Sequence, residues 1–360
     1  MAKKIDPWGS NLVKDYQKVV DDFGLDKFNI KDFPDPNRMM RRGIIFAGRE
    51  LKTIANCIKE KKPFYVLSGI MPTNDKIHFG NKQVVENIRY FQDHGGKAYI
   101  LIADLEAAAT RGVSLKEAKR RAIEFHIPVY IALGLDPKKT EFYFQSENKD
   151  VTNLAALFSR KVTANEFKAI YGSIDPGKVF ASLTQCGDML YPQLKKRMPG
   201  IIPVGIDQEP HIRLCRDIIS RTKNMKFQPL GSMYHEFMPA LNGDLKMSKS
   251  HPESNLDLPE DPKIACKKIN RALTGGRDTL EEHRKKGAII ENDMVFKLLK
   301  YHLIEDDKEL AKIYVEYKSG RMTSGEIKKI ACGKMTAFMK DFENKLKKAR
   351  PLAKKMFSSK

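Results

Sequence analysis

The pentapeptide Lys246-Met247-Ser248-Lys249-Ser250 puts two ammonium groups and two hydroxyls on five consecutive residues. It follows Asn242-Gly243-Asp244, a turn-forming combination. Cationic side chains on such a loop can close over a polyphosphate and stabilise charge on departing pyrophosphate. Read alone, the segment also fits a solvated basic turn. A second element, Ile77-His78-Phe79-Gly80-Asn81, opens a helical pattern. The unpaired N–H groups of a helix start attract phosphate, and His78 and Asn81 can add donors. Gly69, in the preceding loop, permits unusual backbone angles, and Gly80 lets a flat group such as adenine approach. This element alone also fits a helix start with an incidental histidine.

Two further elements carry polar chemistry. Val204-Gly205-Ile206-Asp207-Gln208 stands at a strand end before a helix. Asp207 there suits either ribose hydroxyls or an N-cap. In Thr184-Gln185-Cys186-Gly187-Asp188, Gln185 and Asp188 share one helix face. A buried Gln and Asp could read the N–H or O–H of an aromatic substrate and its ammonium group; a capping or surface pair is the alternative.

The elements that must position these residues follow from the pattern. Strand-length apolar runs occur at Phe64–Leu67, Ala98–Ala103, Glu141–Gln145 and Ile201–Val204. Helical patterns at Lys82–His94, Ser114–Leu133 and Glu209–Arg221 alternate with them. The alternation predicts an α/β fold, a Rossmann-type parallel sheet with covering helices. After residue 250 only helical patterns remain: Asp261–Leu273, Asn292–Leu303, Asp307–Tyr317 and Ser324–Phe357. The expected division is an N-terminal extension (1–62), a catalytic domain (63–252) and an all-α C-terminal domain (253–360).

Composition narrows the partners. Lys and Arg number 65 against 45 Asp and Glu, a formal charge of +20, which suits a polyanion such as nucleic acid. No apolar run reaches the roughly 20 residues of a membrane span, and the first residues lack the apolar core of a signal peptide, so a cytoplasmic protein is expected. The cysteines are scattered, without a CxxC pair, and His211 with Cys215 makes only half a metal site. No metal site is expected.

In this order, the four elements resemble class I aminoacyl-tRNA synthetases. The tryptophanyl branch of the archaeal and eukaryotic type is most similar. Ser68–Asn81 resembles the segment with the HIGH motif, and Lys246–Ser250 is the KMSKS motif in full. Gly205-Ile206-Asp207-Gln208-Glu209-Pro210-His211, Leu183-Thr184-Gln185 and Leu273-Thr274-Gly275-Gly276-Arg277-Asp278-Thr279 look like tryptophanyl-branch sequence. The resemblance implies ATP binding by Ser68, Gly69, Met71, Thr73, His78, Gly80, Asn81, Gly205, Asp207, Lys246, Met247, Ser248 and Lys249. Of these, His78, Asn81, Lys246 and Lys249 would be catalytic. It implies a tryptophan pocket of Leu67, Glu106, Gln185, Asp188 and Gln208, with Asp188 as acceptor for the indole N–H. Asn81 stands where the HIGH motif ends in His, and Leu67 where eukaryotic relatives have a tyrosine. The implied reaction joins L-tryptophan to tRNA(Trp) through an adenylate, with Mg²⁺ carried on the triphosphate. The implied assembly is a homodimer with a helical anticodon-binding domain. The alternatives are a tyrosyl-tRNA synthetase, which shares the Gln-x-x-Asp pair, and a non-catalytic RNA-binding paralogue.

Overall fold

The computed structural model describes residues 15–247 and 251–358. Nine strands occur among them: β1 (Asp26–Lys27), β2 (Ile45–Arg49), β3 (Tyr65–Ile70), β4 (Ile77–His78), β5 (Lys97–Ile102), β6 (Thr140–Phe144), β7 (Gly200–Gly205), β8 (Leu230–His235) and β9 (Asp257–Leu258). The chain forms two compact units. The first takes in the chain up to Asp75, Val84–Glu236 and the chain from Arg350 onward. The second comprises Lys76–Gln83 and Phe237–Ala349.

The first unit holds a seven-stranded sheet in the order β1-β2-β8-β7-β3-β5-β6. The run β8-β7-β3-β5-β6 is parallel, and β2 and β1 continue it antiparallel. The parallel strands are nearly continuously buried, because helices cover such sheets on both faces. Tyr65, Val66, Ile100 and Ile102 are all fully enclosed. Chain order reverses direction across β3 and β7. In open parallel sheets, that switch opens a crevice beyond the carboxyl ends of the strands. Gly69 on β3 and the turn after β7 stand there. The helix Pro176–Lys195 packs on Lys149–Ser159 and Asp104–Arg111.

The expected strands are present within a few residues of their predicted bounds. Two features differ from expectation. Ile45–Arg49 and Leu230–His235 were not read as strands, yet they pair with each other inside the main sheet. The stretch 1–62 is therefore no mere lead-in, because β1 and β2 extend the sheet. The contact division also differs from the expected boundary at 252. Residues 237–252 and the strand-turn around His78 group with the C-terminal helices.

The second unit contains the two-stranded antiparallel ribbon of β4 and β9 and a set of helices that includes Pro262–Arg271, Asp307–Lys318 and most of Ser324–Phe357. Asp261 caps the first of these with its carboxylate on two backbone N–H groups, and Pro262 follows at the first turn. Phe79 anchors the ribbon to the helices. It is fully buried, 5.0 Å edge-on to His302 and 5.5 Å from Phe338. Among the described residues, no helix is long and apolar enough to cross a membrane.

Candidate active site

In the first unit, the carboxyl ends of the strands gather a buried polar network. Glu106 lies on the helix Asp104–Arg111, directly after β5. Its Oε2 accepts a hydrogen bond from Gln185 Nε2 at 2.8 Å. Gln185 and Asp188 sit one turn apart on Pro176–Lys195, as the spacing predicts. Asp188 is fully buried, and each carboxylate oxygen accepts one protein donor. Tyr143 Oη donates to Oδ1 at 3.0 Å and Gln145 Nε2 to Oδ2 at 2.6 Å. A carboxylate oxygen has two acceptor directions, so each keeps one more. Burial pushes the Asp188 carboxyl up to about 8. The Gln145 and Tyr143 bonds oppose that shift, while the charges of Glu106 and Asp104 add to it.

Tyr143 and Gln145 were not singled out from the sequence. The only available signal was position, since Gln145 ends a predicted strand on the side where parallel sheets bind ligands. Leu67 is buried within β3, and Ser68 beside it is also enclosed. Gly69 is exposed near the strand end. Met71 and Thr73 follow in a loop tethered from elsewhere in the same unit. Arg121 donates to the Thr73 carbonyl, and His126 Nε2 reaches the Asn74 carbonyl at 2.7 Å. Asp207 and Gln208 lie half-buried on the turn Ile206–Gln208, directly after Gly205. The N-cap position of Glu209–Arg221 falls on Gln208, one residue after Asp207, and carries no side-chain bond.

The second unit carries the phosphate-type elements. His78 pairs with Asp257 across the ribbon, and Ile77 with Leu258. The Gly80 N–H donates to His78 Nδ1 at 3.1 Å, and the His78 N–H to Asn81 Oδ1 at 3.2 Å. An Nδ1 that accepts assigns the proton of a neutral ring to Nε2, which makes Nε2 a donor. A Cβ on Gly80 would meet the His78 ring at 2.8 Å. A side chain at this position would therefore force the ring to shift. Gly80→Ala is expected to displace the imidazole and slow pyrophosphate exchange about tenfold, roughly 1.4 kcal/mol in the transition state. Exchange rates at saturating ATP check this, and a rate within twofold of wild type would release Gly80 from the site.

The segment before the pentapeptide is built as predicted. Gly243 takes φ +96°, a conformation that side chains disfavour. Asn242 and Asp244 bond to each other across the turn. Lys246 Nζ lies 4.9 Å from the Phe237 ring centroid, and Met247 is buried with its N–H on the Met238 carbonyl at 3.1 Å. Ser248 and Lys249 lie outside the described residues. On either side of them, the Leu241 N–H donates to the Ser254 carbonyl at 2.8 Å. The chain that follows the pentapeptide runs into β9, beside His78. The ribbon therefore links the first phosphate-type element to the chain that follows the second.

His211 has a structural role. Its Nδ1 meets the Tyr171 hydroxyl at 2.9 Å, and burial lowers its pKa to about 3. Among the described residues, no group of three or more His, Cys, Asp or Glu side chains is placed to hold a metal.

Known proteins are similar to this chain in sequence and fold. The family model of class I tRNA synthetases (W and Y) matches residues 59–340. The tryptophan–tRNA ligase of Methanocaldococcus jannaschii is 43% identical, with 99% of each chain covered. That of Aeropyrum pernix is 41% identical, with 99% of this chain and 98% of the relative covered. The crystal structure of the tryptophanyl-tRNA synthetase from Aeropyrum pernix superposes with a TM-score of 0.90, covering 97% of this chain and 98% of the other. A Rossmann-type sheet with an acidic, amide-lined cluster at its carboxyl ends, a HIGH-like turn and a matching family model over most of the chain lead to one conclusion: the chain belongs to the class I tRNA synthetases of the W and Y group.

Proposed function

We propose that this protein is a tryptophan–tRNA ligase, which couples ATP to the attachment of L-tryptophan to tRNA(Trp). The observation that carries the activation step is the β4–β9 ribbon, which ties His78 to the chain leaving the Lys246–Ser250 loop. The choice of tryptophan follows the relatives, which bear that name over nearly their full length.

In the first step the tryptophan carboxylate attacks the ATP α-phosphorus in line, and pyrophosphate departs. In the second, the terminal ribose hydroxyl of the tRNA attacks the acyl carbon and AMP leaves. The protein contributes positioning and charge stabilisation rather than covalent chemistry. His78 and Asn81 donate to phosphate oxygens, and Lys246 and Lys249 neutralise the departing pyrophosphate. Ser68, Gly69, Met71, Thr73, Gly80 and Gly205 shape the nucleotide site, Met247 and Ser248 belong to the closing loop, and Asp207 takes the ribose. Glu106 and Gln185 face the substrate ammonium group. Asp188 accepts the indole N–H through a lone pair not used by Tyr143 or Gln145, and Leu67 and Gln208 complete the pocket. The nitrogen donors near the phosphates suit anion binding. Mg²⁺, a hard cation with oxygen preference, fits the triphosphate oxygens themselves. The basic face of Ser324–Phe357 suits tRNA phosphates, and a cytoplasmic homodimer is the expected assembly.

Pyrophosphate exchange with each amino acid tests the assignment. Tryptophan-dependent exchange is the expected result. Exchange with tyrosine alone would make this a tyrosyl enzyme. Tight tRNA binding without any exchange would make it a non-catalytic paralogue.

A further inference from the structure

Gln145 is fully buried, and both ends of its carboxamide are engaged. Its Nε2 donates to Asp188 Oδ2 at 2.6 Å, and its Oε1 accepts the Glu106 N–H at 3.4 Å. Only one orientation of the amide satisfies both partners. The flipped one would set oxygen against carboxylate and NH₂ against N–H. The turn that bears Gln145 is itself fixed. Ser146 donates to Asp104 through its N–H at 3.1 Å and through its hydroxyl. Tyr143, two residues before, holds the other oxygen of Asp188 at 3.0 Å. Three carboxyl groups thus converge from two helices, Asp104 and Glu106 on one and Asp188 on the other. Among the described residues, the hydrogen-bond partners of Asp188 and Asp104 include no lysine or arginine.

Stability alone does not account for such a cluster. Burying a carboxyl group costs free energy that an apolar side chain of similar volume would not. A buried concentration of acceptors suits instead a ligand that brings a cation and an N–H, as an aromatic amino acid does. For that, the two functional carboxyls must keep a constant spacing although they stand on separate helices.

We propose that Gln145 is the positioning residue of the amino-acid pocket, bridging Asp188 and the backbone of Glu106 so that both carboxyl groups are presented at a fixed separation, with Tyr143 as the second hold on Asp188. The proposal rests on the reading of this pocket as the amino-acid site. Neither residue touches substrate. Each acts through the carboxyl groups it holds, and tightens binding of the amino acid without touching ATP.

The test is pyrophosphate exchange by the full-length protein carrying Gln145→Met or Tyr143→Phe, with thermal unfolding measured alongside. Gln145→Met keeps the side-chain volume and removes both hydrogen bonds. It is expected to raise the KM for tryptophan about tenfold or more while the KM for ATP stays within about twofold of wild type. Tyr143→Phe removes a single hydroxyl and is expected to raise the tryptophan KM about threefold, again with ATP unchanged. A folded Gln145→Met protein with an unchanged tryptophan KM overturns the proposal, and so does a parallel rise in both constants. Should Gln145→Met fail to fold, an unchanged tryptophan KM in Tyr143→Phe overturns it alone. Wild-type protein that exchanges with tyrosine but not tryptophan would sink the substrate assignment instead. The two variants would then be judged by the same criteria on the tyrosine KM.

Discussion

Replacing His78 by alanine is expected to slow pyrophosphate exchange on the order of a hundredfold, about 2.7 kcal/mol of transition-state stabilisation. The reason lies in how the ring is held. Its Nδ1 accepts the Gly80 N–H, which leaves Nε2 as the protonated donor. The ring therefore presents one N–H in a set direction, next to the start of the helix Phe79–Asp93. A donor aimed at developing charge is worth more than one recruited from solvent, because it needs no reorganisation during the reaction. The loss should fall on kcat, with a much smaller change in the KM for ATP, since the hydrogen bond strengthens as negative charge grows. The fold should survive, because Phe79 is anchored separately by His302 and Phe338. Exchange within about threefold of wild type, in a protein of unchanged melting temperature, would remove His78 from the mechanism.

Asp188→Asn should weaken tryptophan use by one to two orders of magnitude, roughly 1.4–2.7 kcal/mol, because an NH₂ replaces one acceptor oxygen among donors. The same substitution carries a signed pH test. The carboxyl is held up at about 8 in the folded protein by burial and by the charges of Glu106 and Asp104. The unfolded chain ionises near the ordinary value of about 3.9. Its stabilising protonated form is fully available below that value, and stability is lost as pH rises through about 8. The asparagine protein lacks this titration. Its stability relative to wild type should therefore climb between pH 5 and pH 8.5, by an amount on the order of 2–5 kcal/mol, read as a rise in relative melting temperature. Tryptophan kcat/KM of wild type should move the other way, rising over pH 6.5–8.5 as the carboxyl becomes an ionised acceptor. A melting-temperature difference that stays flat across this range would show that Asp188 is not the titrating group.

Much of the site was legible as sequence, for local reasons. Gln185 and Asp188 fall on one face of any helix, whatever packs against it. The Asn242-Gly243-Asp244 turn needs only a glycine at positive φ and an Asx pair, and both are present. Glu209–Arg221 was readable to its ends from periodicity and Pro210. The strands Ile45–Arg49 and Leu230–His235 were not, because their signal is not local. The second of them, Leu-Gly-Ser-Met-Tyr-His, is neither alternating nor strongly apolar, yet every residue is buried. Its place inside the sheet, flanked by β2 and β7, depends on pairings distant in sequence.

By itself, the sequence determined the chemistry on offer: the phosphate-type motifs, the Gln-x-x-Asp pair, the βα alternation and a basic chain suited to polyanions. Such features depend on residue type and short spacing, which survive without a fold. Only the tertiary structure decided which groups act together. It bonded Glu106 to Gln185 across 79 positions, set Gln145 and Tyr143 under Asp188, and joined His78 to the chain leaving the pentapeptide loop. Those pairings are long-range, and burial gives them their meaning. In water, Asp188 would be an ordinary carboxylate, whereas inside the sheet–helix core burial, with the nearby carboxyl groups, favours its protonated form and its hydrogen-bond partners fix its orientation.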